Sequence, residues 1–254
     1  MAVLALAGIA LFLGFAALGA WQVQRRAWKL DLIERVTQRL HAAPVAPPSP
    51  ADWPRVDAAG YEYLPVRAQG HWLPGKTVLT QATTELGAGF WVITPLQMAD
   101  GSQVLVNRGF IPQEQRLQWQ NAPTPPGGDT AATVLGLLRM SEPGGGFLRT
   151  NDPARQRWHS RDVAAIASAQ GLDRAAPFFI DAGIPGTTAS TPSAAAAWPR
   201  PGLTVVQFHN SHLVYALTWW GLALMVVVAA WLVARHEIRV RAAYRAKSGH
   251  EQQR

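Results

Sequence analysis

The chain has 254 residues, of which 48% are hydrophobic and only 15% charged. Soluble domains carry roughly 25% charged residues, so the composition points to a membrane protein. The absence of cysteine excludes disulfides, zinc–thiolate sites and thiol chemistry. The formal charge of +7 is concentrated in the tail from Arg235, which holds six basic and two acidic residues. A basic tail beside an apolar run reads as a contact with lipid headgroups. No basic, aromatic-rich element accompanies it, so nucleic acid is not an expected partner.

Met1 to Ala20 contains no charged side chain, and neither does Leu213 to Ala234. About 20 apolar residues in a helix cover the roughly 30 Å hydrocarbon core of a bilayer. A buried helix of a globular protein shows a polar stripe, and neither run has one. The first run is longer than a signal-peptide core and has no basic segment before it, which favours a retained anchor over a cleaved signal. Arg235, Arg239, Arg241, Arg245 and Lys247 follow the second run, and only Arg200 closely precedes it. Basic residues stay in the cytoplasm, so both termini are expected there and the middle of the chain outside. Arg25, Arg26 and Lys29, directly after the first run, oppose this orientation; the larger asymmetry of the second run decides it.

These signals divide the chain into a first span at 1–23, a helical extension at 24–40 and a proline-rich linker at 41–60. A β-rich outer domain follows at 61–210, then a second span at 211–234 and a basic cytoplasmic tail at 235–254. The extension has good helix formers with neither Gly nor Pro. Within the domain, 61–72 reads as a strand and 76–81 as another. Residues 89–98 and 103–112 flank Asp100-Gly101, a strong hairpin signal. Both arms are nearly continuous in apolar residues, as in strands buried on both faces. Residues 121–129 read as a loop and 130–140 as a strand. The clear helix of the domain is 161–170, stopped by Gly171. A strand at 177–183 and an irregular loop at 183–202 complete it. The fold class is therefore a membrane protein with two transmembrane helices flanking an α+β, β-rich domain, a small antiparallel barrel or sandwich. Gly109, inside Asn107-Arg108-Gly109, is expected at a bulge or a positive φ.

No nucleophile elbow, zinc-protease helix, phosphate loop or dinucleotide fingerprint occurs, so an enzyme is not expected. His209 and His212 stand where the second span begins. A polar pair capping the helix is the plain reading of them; a ligand for a membrane-embedded iron cofactor is the functional one. His212, Tyr215 and Trp219 fall at i, i+3 and i+7 on one face. Trp219 lies about 10 Å further along the helix axis than His212, deep for an interfacial aromatic belt. Ala7, Ala10, Gly14 and Ala17, continued by Trp21, and Ala216, Ala223 and Ala230 offer small-residue seams for close helix packing. If the seams meet, Trp21 and His212 share one interface.

The run LGAWQVQRRAWK at 18–29 resembles the entry motif of the Surfeit locus protein 1 family of cytochrome oxidase assembly factors. The similarity continues at 61–63 (YEY), 89–96 (GFWVITPL), 104–112 (VLVNRGFIP), 151–158 (NDPARQRW) and 210–223 (NSHLVYALTWWGLA). Together these segments span almost the whole chain in family order. One departure is Phe110, where the family pattern has Trp. The resemblance implies the topology above and a role in building the haem a centres of an aa3-type oxidase. His212 matches the family's proposed iron ligand, and Tyr215, Trp219, Trp21, Arg25 and Arg108 are the further expected cofactor-binding residues. Implied partners are terminal oxidase subunits, haem a synthase and membrane lipid. The expected location is a bacterial inner membrane with a periplasmic central domain, and a span at the very start of the chain with no transit peptide suits it. A scaffold that stabilises an oxidase intermediate without binding haem is the alternative.

The charge asymmetry makes the orientation testable. A reporter fused after Arg254 is expected to be active only in the cytoplasm, and one inserted in the 183–202 loop only outside; the reverse pattern overturns the orientation.

Overall fold

The computed structural model describes residues 2–120, 131–146, 148–186, 198–206 and 210–251. They fall into two compact units, one made of the residues up to Glu34 with those from Gln207 onward, the other of Arg35–Val206. Two long helices, α1 (Ala2–Leu40) and α5 (His212–Glu251), flank the central domain. Each is about 60 Å long at 1.5 Å per residue, twice the hydrocarbon thickness. The apolar stretch of each is long enough to span, and the charged remainder extends beyond it. The helical extension expected at 24–40 is thus continuous with the first span.

The domain is built from six strands: β1 (Pro65–Trp72), β2 (Val78–Thr84), β3 (Gly87–Met98), β4 (Gln103–Pro112), β5 (Ala132–Met140) and β6 (Ala175–Ala182). Their order is β1-β5-β6-β4-β3-β2, and an additional β1–β3 pairing closes β1, β5, β6, β4 and β3 into a five-stranded barrel. Strand β3 makes this closure possible by its length. Its Leu96–Met98 end pairs with β1, while Gly87–Ile93 pairs with β2. The β3–β4 hairpin turns at Asp100-Gly101 as its sequence requires, with Gly101 at φ +78°. The barrel is antiparallel except between β4 and β6, which run parallel. A parallel pair needs a long crossover, and here β5 and two helices lie in it: α3 (Arg116–Gln120) and α4 (Val163–Ala169).

Two apolar clusters explain why β3 and β4 read as continuous hydrophobic runs. Val66, Leu96, Val104, Val106, Leu138, Phe178 and Ile180 form one core cluster. Ile93, Leu105 and Phe179 belong to a second, with Val163 and Ile166 of α4 and the buried Trp158. Alternate side chains of one strand therefore enter different clusters, and each buried side chain contributes roughly 1.5–3 kcal/mol. Helix α4 is held at both ends: the Asp162 carboxylate accepts the Ala165 N–H at 3.1 Å, and Gly171 ends it at φ +60°.

The proline-rich segment is packed as part of the domain. Val45 donates its N–H to the Pro65 carbonyl and accepts from Arg67 N–H, at 3.1 and 2.8 Å. Trp53 and Val56 rest on the core cluster of Val66 and Phe178. A cavity of about 500 Å³ remains between this strap and β1, β4 and β6. Before β1 the chain forms a short helix, α2 (Ala58–Tyr61), at the end of the segment expected as a linker, and the strand expected from Tyr61 begins only at Pro65. The Asp57 carboxylate accepts the Gly60 N–H there, and Tyr63 at φ +62° turns the chain into β1.

Gly109 occupies the bulge expected of it. Trp91 pairs with Phe110 but Ile93 with Asn107, so β4 carries one extra residue. Gly109 has φ +134°, and a Cβ there would stand 2.4 Å from the carbonyl of Arg200. Gly109→Ala is expected to lower stability by about 2 kcal/mol or more, from backbone strain and this overlap together. Gly75→Ala, at φ +69° with open space around it, should cost less. Thermal melts of the two purified variants check the order.

Candidate functional site in the helix pair

His212 is the first residue of α5. The helix start is served by its neighbours: the Asn210 side-chain oxygen accepts the His212 N–H at 3.3 Å, and the Ser211 carbonyl accepts the Tyr215 N–H. The His212 ring is therefore not the cap. It reaches across to α1, where its Nδ1 lies 2.7 Å from Gln22 Oε1. An amide oxygen only accepts, so Nδ1 is the donor in this contact, and in the neutral ring Nε2 is then the atom with a lone pair to offer. A histidine fixed through one nitrogen, with the other free as a donor atom, has the chemistry of an oriented metal ligand. His209 lies outside the described residues.

The packing face of α1 is not the stripe the sequence suggests. Ala7, Ala10, Gly14 and Ala17 are exposed, and Trp21 is 53% exposed. Up to residue 25, the buried or half-buried residues are Gly8, Phe15, Ala16, Gly19 and Gln22. The helical period allows either face, and aromatic contacts decide between them. Phe15 stacks on Trp219 with centroids 5.8 Å apart. A Cβ on Gly19 would stand 2.2 Å from Trp220 Nε1, so only glycine admits that indole. On α5, Ala216 and Ala223 are buried as expected, and Ala230 is exposed.

Of the expected cofactor residues, the structure unites His212 with Gln22, which sequence reasoning missed, and places Trp219 against Phe15. Tyr215 is 54% exposed. Arg25 stacks on Trp28 of its own helix, 4.0 Å from the ring centroid. Arg108 belongs to the other unit, where its guanidinium lies between the rings of Trp72 and Trp119 at 5.3 and 5.4 Å.

The domain holds a second polar constellation, which the sequence scatters between positions 62 and 181 and gives no sign of joining: Glu62, Asn107, Arg139, Glu142, Arg161 and Asp181. Asp181 is 2% exposed. It accepts from Asn107 at 2.8 Å and from Arg139, Arg161 and Thr204 at 3.0 Å each. Arg139 also binds Glu62 at 2.7 Å, and Arg161 binds Glu142 through two nitrogens. Burial works against the charge of Arg139, but Asp181, Tyr63 and Glu62 outweigh it, and its pKa lies above the ordinary arginine range. Arg161 is raised in the same way, burial being overcome chiefly by Asp181 and Glu142. Every charge in this network is paired, which suits a structural role rather than acid–base chemistry.

The whole describes a class: a membrane protein with two spanning helices, a β-barrel domain between them and a tethered histidine where the second helix begins. The model described as the SURF1 family matches residues 9–224. The chain is 34% identical over 223 residues to Surfeit locus protein 1 of Rattus norvegicus, covering 81% of this chain and 67% of that protein. It is 35% identical over 227 residues to Surfeit locus protein 1 of Homo sapiens, covering 81% and 69%. With the SURF1-like protein of Drosophila melanogaster the identity is 34% over 226 residues, again covering 81% and 69%. The chain belongs to the SURF1 family.

Removing one partner of a buried ion network leaves the others uncompensated, at a cost of about 3–5 kcal/mol. Asp181→Ala is therefore expected to lower the melting temperature of the domain by roughly 10 °C, since about 2–4 °C accompany each kcal/mol at this size. Asp152→Ala, whose partner Arg155 is 72% exposed, should change it little.

Proposed function

We propose that this chain is an assembly factor for an aa3-type cytochrome oxidase that holds haem a at the outer membrane interface and assists its insertion into the main catalytic subunit. Membership of the SURF1 family supports the oxidase role. The observation that carries haem binding is the His212–Gln22 hydrogen bond, which leaves His212 Nε2 free to ligate. His212 would hold the haem iron through Nε2, and Gln22 would fix its tautomer and ring plane. The stacked Trp219 and Phe15 continue from it as an apolar wall suited to a hydrophobic macrocycle. Haem a itself supplies the iron that Nε2 would hold, and one protein ligand is consistent with later release. On this reading the protein is not an enzyme. Its partners are the oxidase subunits, with haem a synthase as source, and both termini lie in the cytoplasm of a bacterial inner membrane.

The test uses the detergent-purified chain from a host that makes haem a. His212→Ala is expected to stay in the membrane at normal level but lose the haem absorption band, and oxidase activity should fall with it. Outer-shell partners of metal-bound histidines tune affinity by about 10–100-fold, so Gln22→Ala should weaken haem retention by roughly tenfold and shift the band. Gln22→Glu keeps an acceptor and should retain most of it. His212→Asn that keeps full haem binding refutes ligation, and wild-type protein without any haem band favours the scaffold alternative.

A further inference from the structure

A small third apolar cluster of the β-domain, Phe90, Val92 and Ile111, is covered by Trp119 of α3 and by Trp198. Three arginines place their guanidinium carbons over aromatic rings of this cluster or beside it. Arg108 lies between Trp119 and Trp72, Arg116 lies 5.1 Å from the centroid of Phe90, and Arg200 lies 4.6 Å from that of Trp198. None of the three pairs with a carboxylate among the described residues, and the Nε of Arg200 is buried without a hydrogen-bond partner. Arg139 and Arg161, in contrast, each bind two acids. Burial draws the Arg108 guanidinium below its ordinary range, with no anion beside it to offset the loss of water. Arg108, Arg116, Trp72, Trp119 and Trp198 are all half-buried, each fixed in place yet reaching the surface. Helix α3 adds Leu117, 72% exposed.

We propose that this arginine–indole patch is a docking surface for acidic side chains of a partner protein. The inference is independent of haem binding by His212. A guanidinium held against an aromatic ring keeps its planar fork for a carboxylate, and the contact restricts its rotamers before any partner arrives. Tryptophan and arginine at a centre, with an exposed leucine beside them, are the composition of interface hot spots. A lipid-binding face is instead a flexible comb of basic side chains, usually rich in lysine. No lysine lies in this patch, and its arginines are held against rings. The platform is also rigid: Arg108 sits in the bulge whose Gly109 N–H is accepted by Asn107, itself bound to Asp181.

The probe is a dye-labelled hexaglutamate peptide, its binding to the full chain in neutral detergent followed by fluorescence anisotropy. Wild type is expected to bind, more weakly as salt rises, and Arg108→Gln and Arg116→Gln each to lose at least about tenfold in affinity. Arg108→Lys keeps the charge but not the planar fork and should lose nearly as much. Arg67→Gln removes the same charge elsewhere on the domain and should leave binding unchanged. Melting curves show whether Arg108→Gln is folded; Arg116, on a short surface helix, keeps the test open if it is not. Equal losses in Arg67→Gln mean general charge attraction and overturn the proposal, as does absence of peptide binding. Arginine-dependent binding to phosphatidylglycerol vesicles in place of the peptide overturns it in favour of lipid. Loss of peptide binding in Arg116→Gln with the haem band of His212 intact supports the patch as a separate site.

Discussion

The β-domain depends on one buried carboxylate. Asp181 stands in β6 opposite Asn107 of the parallel strand β4 and Leu137 of β5. Four side chains from other parts of the chain donate to it: Asn107, Arg139, Arg161 and Thr204. An isolated carboxylate so deep would cost several kcal/mol, and only this density of donors makes the position tolerable. The same bonds set the geometry around them. Asn107 uses its amide nitrogen on Asp181 and its oxygen on the Gly109 N–H, so the bulge of β4 is tied to the ion network. Arg161 carries the network to Glu142 and the start of α4, and Arg139 carries it to Glu62 before β1. Strand, bulge, helix and the entry to β1 are thereby held by one set of charges.

Much of this architecture is legible in the sequence wherever the signal is local. The Asp100-Gly101 hairpin, the helix stopped by Gly171 and the bulge at Gly109 each rest on a few adjacent residues whose backbone demands are specific. The two spans are legible because a bilayer requires an uninterrupted apolar run. What escapes is what distance in the chain conceals. Nothing near Asp181 announces that residues from 62 to 204 converge on it. The parallel β4–β6 pair and the β1–β3 closure are choices among strand orders that one alternating pattern does not make. The strand expected from Tyr61 begins only at Pro65, because Asp57 caps a helical turn and Tyr63 reverses the chain there.

The helix pair shows a different limit. Between two apolar helices in lipid there is no hydrophobic drive to association, so packing and a few polar contacts decide the face. Counting small residues finds a seam on α1 at Ala7, Ala10, Gly14 and Ala17, yet Gly19 makes the close approach because Trp220 needs the missing Cβ. Shifting the face by that rotation turns Trp21 outward and brings Gln22 to His212. A single glycine opposite a single indole is too small a signal to read without the partner helix. The consequence is chemical as well as steric, because the residue that replaces Trp21 beside His212 is a hydrogen-bond acceptor.

The two proposed sites share a physical logic despite their different chemistry. A buried, fully paired group such as Asp181 has no capacity left for a ligand and serves the fold. His212 and Arg108 are each constrained on one side and open on the other, the first by Gln22 and the second by two indoles. Constraint of that kind spends side-chain entropy during folding rather than at binding. It also sets direction: a tethered Nδ1 leaves Nε2 to ligate, and a guanidinium held against indole rings has fewer orientations left to it. For Arg108 the fixing elements trace back to Asp181, through Asn107 and the Gly109 bulge, so a saturated network supports an unsaturated cation. A protein that must hold a cargo or partner and later release it gains from such half-satisfied groups, which bind in a defined geometry but leave a stable fold behind when the ligand departs.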